Sequence, residues 1–208
     1  MNAVMYDKKP EKVIEQKRYT YEEWLELDFG DQRAELIDGV IRMMSYGGNK
    51  HQAIAGEIFG QLREFLRGKP CRVFYELDTK LEEKMNTVYT PDILVVCDTT
   101  KLNKGHGCHG APDFIVEVLS PSTAKIDKTE KLNAYRMAGV KEYWIIDPDN
   151  KLVDALILLG NECTIRTYSE DDRAPVQTLP DCEIDLAAVF SDEVLDFGEE
   201  NANEKSVT

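Results

Sequence analysis

Thr90-Pro91-Asp92-Ile93-Leu94-Val95-Val96 and Ala111-Pro112-Asp113-Phe114-Ile115-Val116-Glu117-Val118-Leu119 are the two stretches that decide the fold of this chain. Each is a short, mostly apolar run opened by Pro-Asp, and each predicts a buried strand. Each also places a carboxylate in or beside the apolar run, where an unpaired charge would be costly. A divalent cation shared by Asp92 and Glu117 would remove that cost, so the pair predicts metal-dependent hydrolysis.

Length and composition predict one globular domain. The 208 residues are 42% apolar and 31% charged, which is enough to build a full hydrophobic core. No run of about 18 apolar residues is present, so we expect no membrane span. The first ten residues lack the apolar core of a signal peptide, which predicts a cytoplasmic protein.

The charge of the chain disfavours tight, indiscriminate binding to nucleic acid. The formal net charge is −14 at pH 7, whereas phosphate binding is driven by Lys and Arg. Part of this charge is local, because residues 191–208 contain six acidic residues and one basic residue. We therefore expect an N-terminal extension (1–18), one domain (19–190) and an acidic, disordered tail (191–208).

The cysteines favour neither a disulfide framework nor a zinc site. There are five, an odd number, and no two are spaced as Cys-x-x-Cys. Reduced cysteines are therefore the expected state. They are Cys71, Cys97, Cys108, Cys163 and Cys182.

Local signals predict a mixed α/β sheet with helices packed on it. Thr20-Tyr21-Glu22-Glu23 has the form of a capping box, and Asp38-Gly39 has the form of a hairpin turn. The other elements follow in the order helix, strands, helix, strands, which is not the regular alternation of a parallel sheet. They are helices over His51–Leu66 and Lys125–Ala138, and strands over Arg72–Tyr75, Leu77–Leu81, Ile93–Val96, Phe114–Leu119, Glu142–Asp147, Leu152–Leu159 and Glu162–Tyr168.

The first long helix carries two polar residues at the edges of its buried face. Its apolar stripe includes Ile54 and Ile58, at helical spacing. At about 100° per residue, Glu57 falls about 60° to one side of Ile54 and His51 about 60° to the other. Either side chain can therefore point along a sheet edge into a cleft.

Glu117 is the anomaly of its strand. Residues two apart share a face, so Asp113 and Glu117 point one way while Val116 points the other. Asp92 opens a strand 25 residues earlier, and neighbouring strands would bring the two carboxylates together. Such a pair raises one pKa unless a cation neutralises it, and ligation by carboxylate oxygens suits Mg²⁺ or Mn²⁺.

Longer stretches of the sequence resemble a known family. Pro91-Asp92 and Glu117-x-Leu119 look like the core of the PD-(D/E)xK nucleases, and the surrounding sequence is similar to the Uma-two group of bacterial restriction-endonuclease-like proteins. The similarity extends from about Thr20 to Tyr168. It is carried by Glu35-Leu36-Ile37-Asp38-Gly39, His51, Pro91-Asp92, Pro112-Asp113-Phe114-Ile115-Val116-Glu117-Val118-Leu119-Ser120-Pro121-Ser122, Asp127, Glu130-Lys131, Tyr135 and Gly139-Val140-Lys141-Glu142-Tyr143-Trp144-Ile145-Ile146-Asp147.

The resemblance implies a fold, an activity and a set of residues. The fold is a restriction-endonuclease-like mixed β-sheet flanked by helices, in a single domain with an extra N-terminal hairpin and C-terminal strands. The activity is Mg²⁺- or Mn²⁺-dependent hydrolysis of DNA phosphodiesters, with Asp92 and Glu117 as metal ligands. Glu57 is expected to complete the acidic set, with Glu35 as its competitor, and His51 is a further candidate.

One position departs from the family pattern. The lysine expected two residues after Glu117 is replaced by Leu119. The resemblance suggests that its role has moved to the following helix, where Lys128, Lys131 and Tyr135 are spaced three and four residues apart on one face. We expect Lys131 to orient the attacking water or to stabilise charge on the phosphate, because Tyr135 could pack against its stem.

Two other functions stay open. The missing lysine at position 119 and the charge of −14 also fit a nuclease-like module that binds nucleic acid or protein without cutting. A hydrolase of a smaller phosphoester would avoid repulsion from a polyanion. For a nuclease, the acidic surface predicts weak or structure-directed contact with DNA. A homodimer is a possible assembly, since cutting a duplex needs two sites.

Overall fold

The computed structural model describes residues 17–197, with gaps at 46, 83, 84, 103, 104, 122 and 161. Residues 1–16 of the expected N-terminal extension and 198–208 of the expected acidic tail lie outside the described residues. The described part of that tail includes a short helix over Asp192–Leu195, whose Leu195 packs against the hydrophobic core. The expected domain boundaries stay predictions.

Short helices and strands are mixed along the chain. The helices are α1 (Tyr21–Leu25), α2 (Asn49–Phe65), α3 (Ala124–Ile126), α4 (Leu132–Ala138), α5 (Leu186–Val189) and α6 (Asp192–Leu195), with a π-helical turn over Asp127–Lys131 and a 3₁₀ turn over Thr99–Leu102. The strands are β1 (Arg33–Ile37), β2 (Val40–Met44), β3 (Arg72–Tyr75), β4 (Thr79–Lys80), β5 (Ile93–Val96), β6 (Cys108–His109), β7 (Phe114–Val118), β8 (Glu142–Asp147), β9 (Leu152–Leu159), β10 (Glu162–Ser169), β11 (Arg173–Pro175) and β12 (Glu183–Asp185). None of the helices in the described ranges is both long and apolar enough to span a membrane.

A six-stranded sheet forms the centre of the domain, in the order β10-β9-β8-β7-β5-β3. β7 and β8 are parallel and the other neighbouring pairs are antiparallel, which confirms the predicted mixed sheet. The strand predicted over Leu77–Leu81 is wrong in extent and place, because only β4 forms there and it pairs with β6. Glu76, with a φ of 49°, turns the chain away after β3.

Helices cover both faces of the sheet. α2 packs Ile54 into a cluster with Val116 on one face. On the other face, Tyr135 of α4 lies in a cluster with Ile115. Because side chains alternate along a strand, Glu117 shares the face of Ile115 and points toward the helical segment that follows β7.

The predicted hairpin and capping box are confirmed. Asp38 and Gly39 have φ values of 50° and 77° and form the two-residue turn between β1 and β2. Thr20 makes both hydrogen bonds of the capping box at the start of α1. In β1, Leu36 exchanges two backbone hydrogen bonds with Val88, at 3.1 and 2.6 Å. The hairpin is therefore fastened beside the segment that leads into β5.

The expectation of reduced cysteines is wrong for one pair. Cys71 and Cys97 form a disulfide. They adjoin Arg72 and Val96, which are partners in the antiparallel pairing of β3 and β5, so the two cysteines face each other across the strands. A separation of 26 residues gives no local sign of this contact. The other three cysteines are free.

Two glycines should respond in opposite ways to replacement by alanine. Gly139 ends α4 in the left-handed region with a φ of 94°, where a Cβ is strained. Gly60 lies inside α2 with open space around an added Cβ. We expect Gly139→Ala to lower the free energy of unfolding by about 1 kcal/mol and Gly60→Ala to raise it by about 0.5–1 kcal/mol. Urea denaturation measures both, and changes of the same sign would contradict the assignment.

Candidate active site

Asp92 is held at the start of β5 by groups from two other elements. Its Oδ2 accepts a hydrogen bond from the backbone N–H of Val118 at 2.7 Å. The same oxygen lies 3.1 Å from Nε2 of His51, in the first turn of α2. Because β5 and β7 are adjacent and antiparallel, the start of β5 meets the end of β7. The predicted neighbourhood of the strands that carry Asp92 and Glu117 is therefore confirmed.

A buried ammonium group links three carboxylates. Lys131 Nζ donates to Glu117 Oε1 at 2.9 Å, and the same oxygen accepts a hydrogen bond from the hydroxyl of Tyr135 at 2.9 Å. The side chains of Glu117 and Lys131 are 4% and 6% exposed. Lys131 Nζ also lies 3.2 Å from Glu35 Oε1 and 3.5 Å from Asp127 Oδ1. One lysine thus contacts acidic groups from β7, from β1 and from the π-helical turn.

The π-helical turn decides which lysine faces the site. An uninterrupted α-helix would align Lys128 with Tyr135, because seven residues make nearly two full turns. The π-helical turn contains one extra residue, which rotates the preceding part of the helix by about 100°. Lys128 is accordingly exposed, so its expected place on the face of Lys131 and Tyr135 is wrong. The hydroxyl of Tyr143 donates to the carbonyl of Asp127 within this turn, at 3.3 Å.

The third carboxylate near Lys131 comes from the hairpin and not from α2. Glu35 is 6% exposed, and its Oε1 also accepts a hydrogen bond from the N–H of Thr90 at 3.1 Å. Glu57 lies elsewhere, where it accepts a hydrogen bond from Gln61, which in turn bonds the backbone just ahead of α5. The structure therefore does not bring Glu57 to the site. The reason is that the side of α2 that carries Glu57 faces the segment around Asp185 and not the cleft.

His51 is the margin residue of α2 that does reach the site. Its Nδ1 is buried and has no hydrogen-bond partner within the described part of the chain. A Cβ at Gly47 would lie 2.4 Å from this nitrogen, so glycine leaves room for the ring. Burial lowers the pKa of His51, but the hydrogen bond with Asp92 and the charge of Asp92 raise it by more, and the net pKa is above the ordinary value.

Asp113 has a structural position at the opposite end of β7. Its Oδ2 accepts the backbone N–H of Cys97 at 2.7 Å, and its Oδ1 lies 2.6 Å from Lys141 Nζ. These contacts tie the start of β7 to its neighbours. Asp113 therefore opens its strand, as the sequence predicts, and lies apart from Glu117.

A cleft of about 310 Å³ opens onto the buried polar groups. Its lining includes four carboxylates, those of Glu35, Asp92, Glu117 and Asp127. Within the described ranges, no group of three or more His, Cys, Asp or Glu side chains is placed to hold a metal ion. Mg²⁺, however, commonly takes only one or two protein carboxylates and completes its shell with water and substrate oxygens. The carboxylates fit such an ion, and Asp127 Oδ1 is buried with no hydrogen bond from the described residues, its contact with Lys131 Nζ being the 3.5 Å ion pair.

Comparison with known proteins identifies the family. Residues 19–187 match the Uma2 family, which is described as "Putative restriction endonuclease". The chain belongs to the Uma2 family. An uncharacterized protein of Synechocystis sp. is 31% identical over 151 residues, which cover 71% of this chain and 78% of the relative.

A solved structure supports the fold of this Uma2 domain. The crystal structure of "a putative nuclease belonging to DUF820" from Anabaena variabilis ATCC 29413 superposes with a TM-score of 0.67 and 23% identity. The match covers 82% of this chain and 97% of that one. The restriction-endonuclease-like fold is confirmed, and the family description supports a nuclease.

Burial dominates the electrostatics of the Uma2 site. It raises the pKa of Glu117 to about 8 despite the opposing charge of Lys131, and the charges of Asp92 and Asp127 add to the rise. Burial likewise raises the pKa of Asp127. For Lys131, burial lowers the pKa, but the charges of Glu117, Glu35 and Asp127 raise it by more. Lys131 therefore stays charged in a site where Glu117 readily takes up a proton.

Glu117→Gln should stabilise the fold at alkaline pH. The unfolded chain releases the Glu117 proton near the ordinary pKa of 4.5, and the folded chain releases it only near 8, so the wild type loses stability as pH rises through that window. A glutamine carries no such penalty. Relative to the wild type, the variant should therefore become more stable as pH rises from about 5 to above 8. Urea denaturation across this range tests the sign, and a constant difference would contradict it.

Proposed function

We propose that this Uma2 protein is a metal-dependent endonuclease that hydrolyses phosphodiester bonds of DNA, with Mg²⁺ or Mn²⁺ as cofactor. The observation that carries the proposal is the buried contact of Lys131 Nζ with Glu117 Oε1 at 2.9 Å, in the cleft that also holds Asp92. This contact would serve as the acid–lysine pair of a PD-(D/E)xK site, although position 119 is leucine. The family description supports the nuclease class.

Asp92 and Glu117 would hold the divalent ion. The chemistry that such an ion supplies when bound is a more acidic water and a polarised phosphoryl oxygen. Val118 and His51 position Asp92 for this role, since both contact its Oδ2. Tyr135 positions Glu117 by its hydrogen bond to Oε1. The two ligands are thus fixed by groups on β7, α2 and α4.

Lys131 is the proposed catalytic cation. Hydrolysis forms a bond between a water oxygen and phosphorus and breaks the bond from phosphorus to a sugar oxygen. An ammonium group beside Glu117 can orient that water and stabilise the negative charge that develops on the phosphate. Glu35 and Asp127 hold the ammonium from two further sides, which limits its freedom before the reaction starts.

The acidity of the cleft supports weak or structure-directed contact with DNA. Arg33 and Arg42 also line the cleft, but they form ion pairs with Glu76 and Glu130. Their charge is therefore partly neutralised before a phosphate arrives. Attraction for the substrate would come to a large extent from the divalent ion, since both arginines that line the cleft are already paired with carboxylates.

Lysine substitutions separate the proposed catalytic residue from its neighbour. Lys131→Ala should reduce cleavage of plasmid DNA in Mg²⁺ or Mn²⁺ by roughly 100-fold or more, because it removes the cation beside the phosphate. Lys128→Ala is the matched control, since Lys128 is exposed and outside the cleft lining, and it should cut like the wild type. Loss of activity in the control alone would move the role to Lys128.

Carboxylate substitutions test the acidic set in the same assay. Asp92→Asn should abolish cleavage and weaken Mn²⁺ binding measured by calorimetry, because it removes a proposed ligand. Glu35→Gln should lower activity by about tenfold, since it loosens the ammonium of Lys131. Glu57→Gln lies outside the site and should have no effect on cleavage. Equal activity of Asp92→Asn and the wild type, with unchanged Mn²⁺ binding, would refute the nuclease proposal.

Two further outcomes would point to the other functions. Hydrolysis of a small phosphodiester with DNA left intact would favour a hydrolase of smaller substrates. Binding of DNA or protein without hydrolysis of either substrate would favour a nuclease-like module that does not cut. The same purified protein serves for all of these measurements.

A further inference from the structure

Within the described ranges, strand β10 leaves one edge of the central sheet unpaired. It is the terminal strand of the six, and among the described strands it pairs only with β9. All of its eight residues are exposed except Tyr168, which is half-buried. Ile165 is 58% exposed and Leu159, at the end of β9, is 66% exposed. A long edge that carries exposed apolar residues is a template for pairing with another strand.

The opposite edge of the sheet differs in each of these respects. β3 has four residues, of which three are half-buried, and it follows directly on Lys69-Pro70-Cys71. Short edge strands and nearby proline are devices that discourage pairing. Strand β10 contains no proline or lysine. An added strand is therefore expected at β10 and not at β3.

We propose that β10 pairs antiparallel with β10 of a second copy of this chain, so that the two central sheets join into one. Most protein dimers have a two-fold axis, which brings the same strand of both copies together. The charges of β10 suit this arrangement, because Glu162 and Arg166 are four residues apart and of opposite charge, so that each can face the other in the second copy. Neither makes an ion pair within the described part of its own chain.

The charges select one register. In an antiparallel pair, two directly opposite residues either both point their backbone N–H and C=O groups toward the partner strand or both point them away. This direction alternates along each strand. The two-fold axis must therefore set one residue opposite its own copy and cannot lie midway between two consecutive residues. An axis at Thr164 sets Glu162 opposite Arg166 of the second copy, twice. An axis at Ile165 would set Arg166 opposite Thr164, and an axis at Arg166 would set two arginines face to face. The geometry therefore favours Thr164.

The same register aligns apolar side chains. Cys163 lies opposite Ile165 of the second copy, again twice, on the face that Leu158 shares in β9. The exposed Ile165 would thereby lose contact with water. Because one strand edge supplies a small interface, we expect a reversible dimer whose population rises with protein concentration.

Charge reversal tests the partner and the register together. In sedimentation velocity, Arg166→Glu should weaken dimerisation by about tenfold or more, because two like-charged pairs then face each other. The double variant Glu162→Lys/Arg166→Glu restores opposite charges and should dimerise like the wild type. Arg63→Glu, at an exposed position on α2, makes the same charge change away from β10 and should have no effect.

Cross-linking locates the axis. In a Cys163→Ser background, Thr164→Cys should give a covalent dimer with a short bismaleimide, since residues directly opposite have Cβ atoms about 5 Å apart. Thr167→Cys in the same background is the control, because the axis at Thr164 separates its two copies by six residue steps, roughly 20 Å. A monomer at all concentrations, a dimer indifferent to Arg166→Glu, or preferential cross-linking at position 167 would each overturn the proposal. None of these outcomes depends on nuclease activity.

Discussion

The contact of Lys131 with three buried carboxylates is the constraint on which the site depends. Its ammonium reaches Glu117 in the sheet, Glu35 in the hairpin and Asp127 in the π-helical turn. Charges removed from water cost several kcal/mol each, and only close opposite charges and hydrogen bonds repay this cost. A shift of any of these three elements would disturb a buried ion pair of Lys131. Lys131 therefore links the hairpin, β7 and the helix after β7, in addition to the Leu36–Val88 backbone bonds and the hydrogen bond from Tyr135 to Glu117.

In the proposed nuclease, Lys131 on the helix would take the role of the strand lysine, and position 119 would be free for apolar packing. Leu119, where the family pattern has lysine, is 8% exposed and packs in the same apolar cluster as Tyr135. A catalytic site is defined by the position and role of its groups and not by their place in the chain. The helical segment brings the ammonium of Lys131 next to Glu117, whereas Lys128 in the π-helical turn is exposed. Such turns interrupt helices at functional sites with some frequency, since they re-aim a few side chains without breaking the helix.

Short-range sequence signals predicted the structural elements that depend on short-range interactions. The Asp38-Gly39 hairpin, the Thr20 cap and the strands around Asp92 and Glu117 each follow from short-range preferences, and all are present. The same signals could not show that Glu35, and not Glu57, lies near Lys131. Glu57 and His51 occupy equivalent margins of the buried face of α2 on a helical wheel. Only the packing of α2 between the sheet and the C-terminal segment decides that His51 faces the cleft and Glu57 does not.

The remaining misses are non-local for the same reason. Cys71 and Cys97 meet because β3 and β5 pair. The effect of the π-helical turn is visible only in the structure, where Lys128 is exposed and Lys131 is buried.

The excess of carboxylates at the site has a consequence for binding. Lys131 alone cannot neutralise the four carboxylates, and the two arginines of the cleft are paired with Glu76 and Glu130, so the cleft should disfavour a phosphate until a proton or a divalent ion reduces its negative charge. In the proposed nuclease, binding of the ion and of the substrate would therefore reinforce each other, because each supplies charge that the other requires.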